Sequence, residues 1–234
     1  MRLYKALKSI FSLFFPNRCY NCGYQVSSKK NILCIFCIYN LPHTYYLNSR
    51  SNPLIDLFFG RIPIAYAASV FYFDHPNTIQ KLIYELKYNG QEHIGYFLGS
   101  LMAKELLSSN RFNSIDCVIP IPLHPSKIYD RGFNQLSSIG KVISKKFKIP
   151  VYEDYLISVK TTSSQTNKDR QARWENKECC FKLTHPRLFE GKNILLIDDI
   201  LTTGATLEAA ARQFLQIEGV KIYIATLAYT QKND

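Results

Sequence analysis

The sequence has no apolar run long enough to cross a bilayer. The stretch from Leu3 to Phe15 is the nearest candidate, but Lys5 and Lys8 interrupt it, and it falls short of the roughly 20 residues a spanning helix needs. No small-residue cleavage site follows it; Pro16-Asn17-Arg18-Cys19 comes instead, which argues against a signal peptide. The run therefore reads as a short amphipathic helix of a cytoplasmic protein, with Phe11, Phe14 and Phe15 available for peripheral membrane contact. Acid is also scarce. Eighteen Asp and Glu stand against 29 Lys and Arg, for a net charge of +11. That excess points to polyanionic partners: nucleic acid, an anionic membrane face or a phosphorylated ligand. The cysteines do not pair off, being seven in number, and the early ones are tightly spaced, so a secreted disulfide scaffold is excluded. No internal repeat or low-complexity segment is present. A chain of 234 residues holds one large domain, or one domain with a small module.

The early cysteines form such a module. Cys19-Tyr20-Asn21-Cys22 and Cys34-Ile35-Phe36-Cys37 are two C-x-x-C knuckles. Each puts two thiolates on a tight turn, and two such turns close a tetrahedron around Zn²⁺. Four thiolates leave no open position, so the expected zinc is structural and His43 is not needed as a ligand. The reading places the helix and zinc module in residues 1–50, a linker rich in Asn, Ser, Pro and Gly in residues 51–61, and the main domain in residues 62–234.

In the main domain, apolar runs alternate with helical periodicity. Residues 62–73 and 115–121, then 155–159, 179–183 and 220–228, read as strands. A helix starting at His75 to Thr78, with Ile79, Leu82, Ile83 and Leu86 at helical spacing and an end at Lys87 to Gly90, and residues 93–107 and 135–146, read as helices. This alternation predicts a parallel α/β sheet with helices on both faces. The most informative stretch is Ile194-Leu195-Leu196-Ile197-Asp198-Asp199-Ile200-Leu201-Thr202-Thr203-Gly204-Ala205-Thr206. Four aliphatics read as a strand buried on both faces, the acidic pair as its carboxyl end, and the hydroxyl-rich turn as the entry to a helix from Leu207. A helix N-terminus reached through such a turn binds anions, while the two carboxylates suit hydroxyls. A sugar carrying a phosphate on one side and vicinal hydroxyls on the other satisfies both halves. A second strand–loop–helix edge, from Pro120 through Leu123 and His124 to Arg131, adds anion-binding groups. Lys141, Lys145, Lys146 and Lys148 form a basic helix face. The segment 160–177 has almost no apolar periodicity and reads as a lid or flexible loop.

These motifs resemble those of type I phosphoribosyltransferases, and nearly the whole chain resembles the ComF family of competence proteins. The residues that carry this are the four cysteines; Leu86-Lys87-Tyr88; Pro120 to His124; Arg131 to Gln135; Thr162 with Gln165; Arg173 with Asn176; and Asp198 to Thr206. Lys160 and Lys168 depart from the family pattern. The resemblance implies a type I phosphoribosyltransferase-like domain behind a zinc module. It implies Asp198 and Asp199 as the catalytic pair on the ribose hydroxyls. The 5′-phosphate would sit in the loop Thr202, Thr203, Gly204, Ala205 and Thr206, and pyrophosphate with Mg²⁺ at Leu123, His124 and Arg131. Lys160, Thr162, Gln165 and Arg173 would belong to the flexible loop. The implied role is natural transformation: binding phosphoribosyl pyrophosphate and single-stranded DNA, and handling incoming DNA beside an uptake helicase or inner-membrane channel. The alternative is a metabolic, amidophosphoribosyltransferase-like enzyme acting on a small base or amine. The hood that reads the base in such enzymes is here replaced by the zinc module and linker.

Overall fold

The structure, a computed structural model, describes residues 16–28, 31–50, 52–73, 77–159 and 180–231. At its centre is a parallel sheet in the order β1 (Tyr66–Tyr72), β6 (Lys221–Tyr229), β5 (Asn193–Leu201), β2 (Cys117–Pro120). Ile194 to Ile197 of β5 are all fully buried, which requires cover on both faces. The helices supply it: α3 (Thr78–Tyr88), α4 (Glu92–Leu107), α6 (Gln135–Phe147) and α7 (Ala205–Phe214) each bury an apolar stripe. In α3 the stripe is Ile79, Leu82, Ile83 and Leu86, the spacing that marks the helix in the sequence.

Both edges of the sheet are extended by short segments. Val118 of β2 pairs with Val151, through N–H donation to Pro150 O at 3.0 Å and acceptance from Tyr152 N at 2.9 Å. At the other edge, Tyr72 N donates to Pro42 O at 2.8 Å and Thr44 N donates to Val70 O at 3.0 Å. The end of the N-terminal module thus pairs with β1 and belongs to the sheet of the main domain. Lys81 Nζ also donates to Asn21 O at 3.1 Å, and Tyr20 Oη lies 3.1 Å from His93 Nε2.

The stretch read as a linker is structured. Asn52 caps α2 (Pro53–Phe58) by accepting from Leu54 N and Ile55 N, with Pro53 at the first helical position, where a missing N–H costs nothing. Leu54 and Phe58 are fully buried. The remaining elements are α1 (Ile35–Tyr39), α5 (Pro125–Arg131), and the antiparallel pair β3 (Leu156–Val159) and β4 (Cys180–Leu183). The loop residues Lys160, Thr162, Gln165 and Arg173, and the N-terminal run from Leu3 to Phe15, lie outside the described residues. Among the described residues no helix is long and apolar enough to cross a membrane.

Candidate functional site

The strand β5 does not end at the acidic pair, as the sequence reading has it, but runs on to Leu201. Asp198 is paired with Thr226 of β6 and Ile200 with Ala228. On the opposite side β2 stops at Pro120, opposite Ile197. Beyond this point the chain from Ile121 to His124 turns away into α5, and β5 is left without a neighbour where its carboxylates begin. A crevice at the carboxyl ends of parallel strands is where open α/β sheets bind ligands. Here it is a cavity of about 240 Å³ lined by Lys87, Leu123, His124, Lys127, Arg131, Gln135, Asp198, Asp199 and Thr206, among others. The groups expected from the two strand–loop–helix edges therefore share one cavity.

Thr202, Thr203, Gly204 and Ala205 wrap a smaller hollow of about 30 Å³, which Asp198 and Thr206 also line. Gly204 caps α7 at φ +75°, a left-handed conformation that side chains disfavour. A Cβ there would also stand 2.9 Å from Phe58 Cε1 and 3.2 Å from Leu57 Cδ2. The floor of this loop is thus the stretch read as a linker. Arg61 fastens it, donating to Thr203 O at 2.9 Å and pairing with Glu208 of α7. Arg212 holds Glu208 from the other side at 2.6 Å, and these bonds hold the Glu208 carboxyl below its ordinary range, Arg212 foremost. Gly204→Ala is expected to cost about 1–2 kcal/mol through backbone strain and the Phe58 clash. At this chain length that is roughly 2–8 °C of thermal midpoint, and phosphate binding should weaken with it. An unchanged midpoint and unchanged binding would show that the loop has other room to move.

The far wall is cationic. His124 caps α5, its Nδ1 accepting from Ser126 N at 3.3 Å. Arg131 ends α5, donates to Gln135 Oε1 at 3.3 Å and lies 5.4 Å over the ring of Tyr88. Burial pushes the Asp198 carboxyl up to about 8, and the neighbouring Asp199 adds to this; the Asp199 N–H, Lys87 and Lys127 pull the other way. Asp199 is buried and held by Lys87 Nζ at 2.7 Å and Gln135 Nε2 at 2.7 Å. Neither Lys87 nor Gln135 is singled out as a ligand-site residue by the sequence reading. Ser158 of β3 and Phe181 of β4 also line the cavity. Lys141, Lys145, Lys146 and Lys148 do not join this cavity. They lie towards the other end of α6 from Gln135, and Lys141 Nζ is 3.7 Å from Glu153 Oε1.

The N-terminal knuckles converge. The Sγ atoms of Cys19, Cys22, Cys34 and Cys37 lie within 4.8 Å of one another, those of Cys22 and Cys34 at 3.7 Å. A tetrahedral ion with arms of about 2.3 Å has edges of roughly 3.8 Å, while a disulfide would need about 2 Å. Gly23 turns the first knuckle at φ +72°. Cys37 N donates to Cys34 Sγ at 3.4 Å and Asn21 Nδ2 donates to Cys37 Sγ at 3.4 Å. Burial raises the Cys19 thiol, but N–H groups of Cys22, Cys34 and Asn21 more than offset it and bring it down to about 6. Burial and the neighbouring sulfurs drive Cys37 up to about 12. Four thiols so crowded need a cation to be deprotonated together, and the donor set suits a metal ion such as Zn²⁺. His43 is not part of the cluster; its ring packs 4.8 Å from that of Phe71.

Residues 137–233 match the phosphoribosyl transferase domain family, the part of the chain that contains β5, the Thr-Thr-Gly loop and α7. The fold and site define a phosphoribosyltransferase-like domain carrying a four-cysteine module. Competence protein F of Haemophilus influenzae is 24% identical over 227 residues, covering 90% of this chain and 96% of that one. The DNA utilization protein YhgH of Escherichia coli K12 is 24% identical over 160 residues, 67% of this chain and 70% of that one. Competence protein ComFC of Bacillus subtilis is 33% identical over 99 residues, 42% of this chain and 38% of that one. Along most of its length the chain is similar to competence and DNA utilization proteins, at 24% identity.

Proposed function

We propose that this chain is a competence protein of natural transformation that binds phosphoribosyl pyrophosphate with Mg²⁺ and also binds single-stranded DNA. It handles incoming DNA on the cytoplasmic side of the membrane. The observation that carries the ligand half is the joining of Asp198 and Asp199 to the Thr202–Thr206 turn on one strand–loop–helix unit, facing His124, Lys127 and Arg131 across the same crevice. Carboxylates accept hydroxyls. The first N–H groups of α7 have no partners within the helix and suit the 5′-phosphate, and the cationic wall suits pyrophosphate. Mg²⁺ would arrive with the pyrophosphate and neutralise it as it leaves. The protein's own part would be to hold the ribose and to stabilise the developing phosphate charge with preorganised donors.

The DNA half rests on the excess of 29 basic over 18 acidic residues, on the face formed by Lys141, Lys145, Lys146 and Lys148, and on the names of the relatives. Tyr24, Phe36 and Tyr39 of the cysteine module are each more than two-thirds exposed, and exposed rings of this kind stack on unpaired bases. Binding should weaken steeply with salt, because each neutralised phosphate releases counterions. The double charge reversal Lys145→Glu/Lys146→Glu is expected to lower the slope of log K against log salt by about 1–2, near 0.7 for each single-strand phosphate that is no longer neutralised, while the ligand cavity stays intact. Fluorescence anisotropy of a labelled oligonucleotide measures this. Undetectable binding at low salt, or an unaltered slope, contradicts the assignment. Formation of a phosphoribosyl product with a base or amine acceptor would favour the metabolic enzyme instead.

A further inference from the structure

We propose that Lys87 is a positioning residue of the ligand site and acts through Asp199; this rests on reading Asp198 to Thr206 as a phosphoribosyl site. Lys87 closes α3, Gln135 opens α6, and Asp199 lies in β5. The three elements converge on one oxygen, Asp199 Oδ2, which lies 2.7 Å from Lys87 Nζ and 2.7 Å from Gln135 Nε2. The side chains of Lys87 and Asp199 are only 15% and 9% exposed.

A buried ion pair is a poor device for stability alone, since two apolar side chains of the same size do as well or better. This pair lines the ligand cavity, where its geometry has a use. On Asp198 the internal bond falls on Oδ1, which accepts from Asp199 N at 2.8 Å. Each carboxylate thus commits one oxygen to the protein. Among the described residues Asp198 Oδ2 and Asp199 Oδ1 make no such bond, and both residues line the ligand cavity, so each carboxyl has an oxygen to offer a sugar hydroxyl. Without Lys87, the Gln135 amide is, among the described residues, the remaining donor that fixes which oxygen of Asp199 turns inward. The lysine also offsets the negative charge of Asp199, which a phosphorylated ligand must approach.

The test uses two probes of equal charge, ribose 5-phosphate and 2-deoxyribose 5-phosphate, titrated calorimetrically into the full-length protein. Wild type is expected to prefer the ribose form about tenfold, the worth of one hydrogen bond to a charged group. Lys87→Met is expected to lose most of that preference, falling below about threefold. A fold defect alone would lower affinity for both probes and leave their ratio unchanged. Lys87→Gln keeps a donor to Oδ2 without the charge and is the variant to read if Lys87→Met does not fold; it too should reduce the ratio. A wild-type ratio in either folded variant overturns the role of Lys87. Equal binding of the two probes by wild type overturns the phosphoribosyl reading itself, and the Lys87 role with it.

Discussion

The four cysteines are expected to hold zinc, and its removal is expected to unfold their module and leave the parallel sheet standing. Among the described residues the module's own buried apolar side chains are Val26, Ile32, Leu33, Leu41 and Leu47 with Cys19 and Cys37. Among the described residues its one α-helix is the five-residue α1, whose sole buried residue is Cys37. So small a core does not repay the entropy of ordering the chain around it. Zinc in comparable modules contributes roughly 10 kcal/mol or more of apparent folding free energy. Elemental analysis should find one zinc per chain. A chelator, or Cys37→Ser, should release it and remove hydrogen-exchange protection at Cys19, Tyr20 and Val26, whose N–H groups donate to Tyr24 O, Ile32 O and Asn17 O. Protection should persist in β5 and β6, which pair with each other and with β1 and β2 in the parallel sheet. A metal-free protein with the module's protection intact contradicts the assignment.

Removing both carboxylates, as Asp198→Ala/Asp199→Ala, is expected to abolish sugar-ligand binding. Two hydrogen bonds between hydroxyls and carboxylates are removed, each worth about 1.5–3 kcal/mol, which together amounts to roughly 10²–10⁴-fold in affinity. The substitution also strands Lys87, since Asp199 is its ion-pair partner, and leaving one buried charge alone costs about 3–5 kcal/mol of stability. Asp198→Asn separates the two effects. It leaves the Lys87 pair in place, so the fold should hold while the hold on the ribose weakens. Inorganic phosphate should bind the double variant at least as well as wild type, because its nearest repulsive charges are gone. Parallel losses of sugar ligand and phosphate would mean that the cavity had collapsed.

The parts of this site that the sequence displays are those encoded by neighbours. Ile194 to Ile197 form a run that only a strand buried on both faces wants, and Thr202 to Thr206 are consecutive, so strand, pair and loop are visible together. The cysteines are visible because ligand spacing within a knuckle is fixed by the metal. The extent of β5 is less visible: its polarity breaks at Asp198, but pairing with Thr226 to Tyr229 of β6 carries the strand to Leu201. The helix after the loop starts at Ala205, because Gly204 itself serves as the cap. Residues 51–61 show no apolar period, as α2 is only six residues long. Asn52-Pro53 is a cap followed by a first-turn proline and could have signalled it. Nothing local says that Phe58 and Arg61 meet Gly204, Thr203 and Glu208, more than 140 positions later. Lys87 is visible as part of Leu86-Lys87-Tyr88, one of the stretches that carry the resemblance, but nothing local gives it a role at the ligand site. Its burial against Asp199 depends on how α3 packs.

The account stands or falls on whether this crevice takes a phosphorylated ribose. Calorimetric titration of the purified wild-type protein with phosphoribosyl pyrophosphate and Mg²⁺ tests that most directly. The account predicts saturable binding at one site per chain, competed by ribose 5-phosphate more effectively than by inorganic phosphate. No saturable heat in a protein that has kept its fold, or competition by phosphate alone, would contradict it.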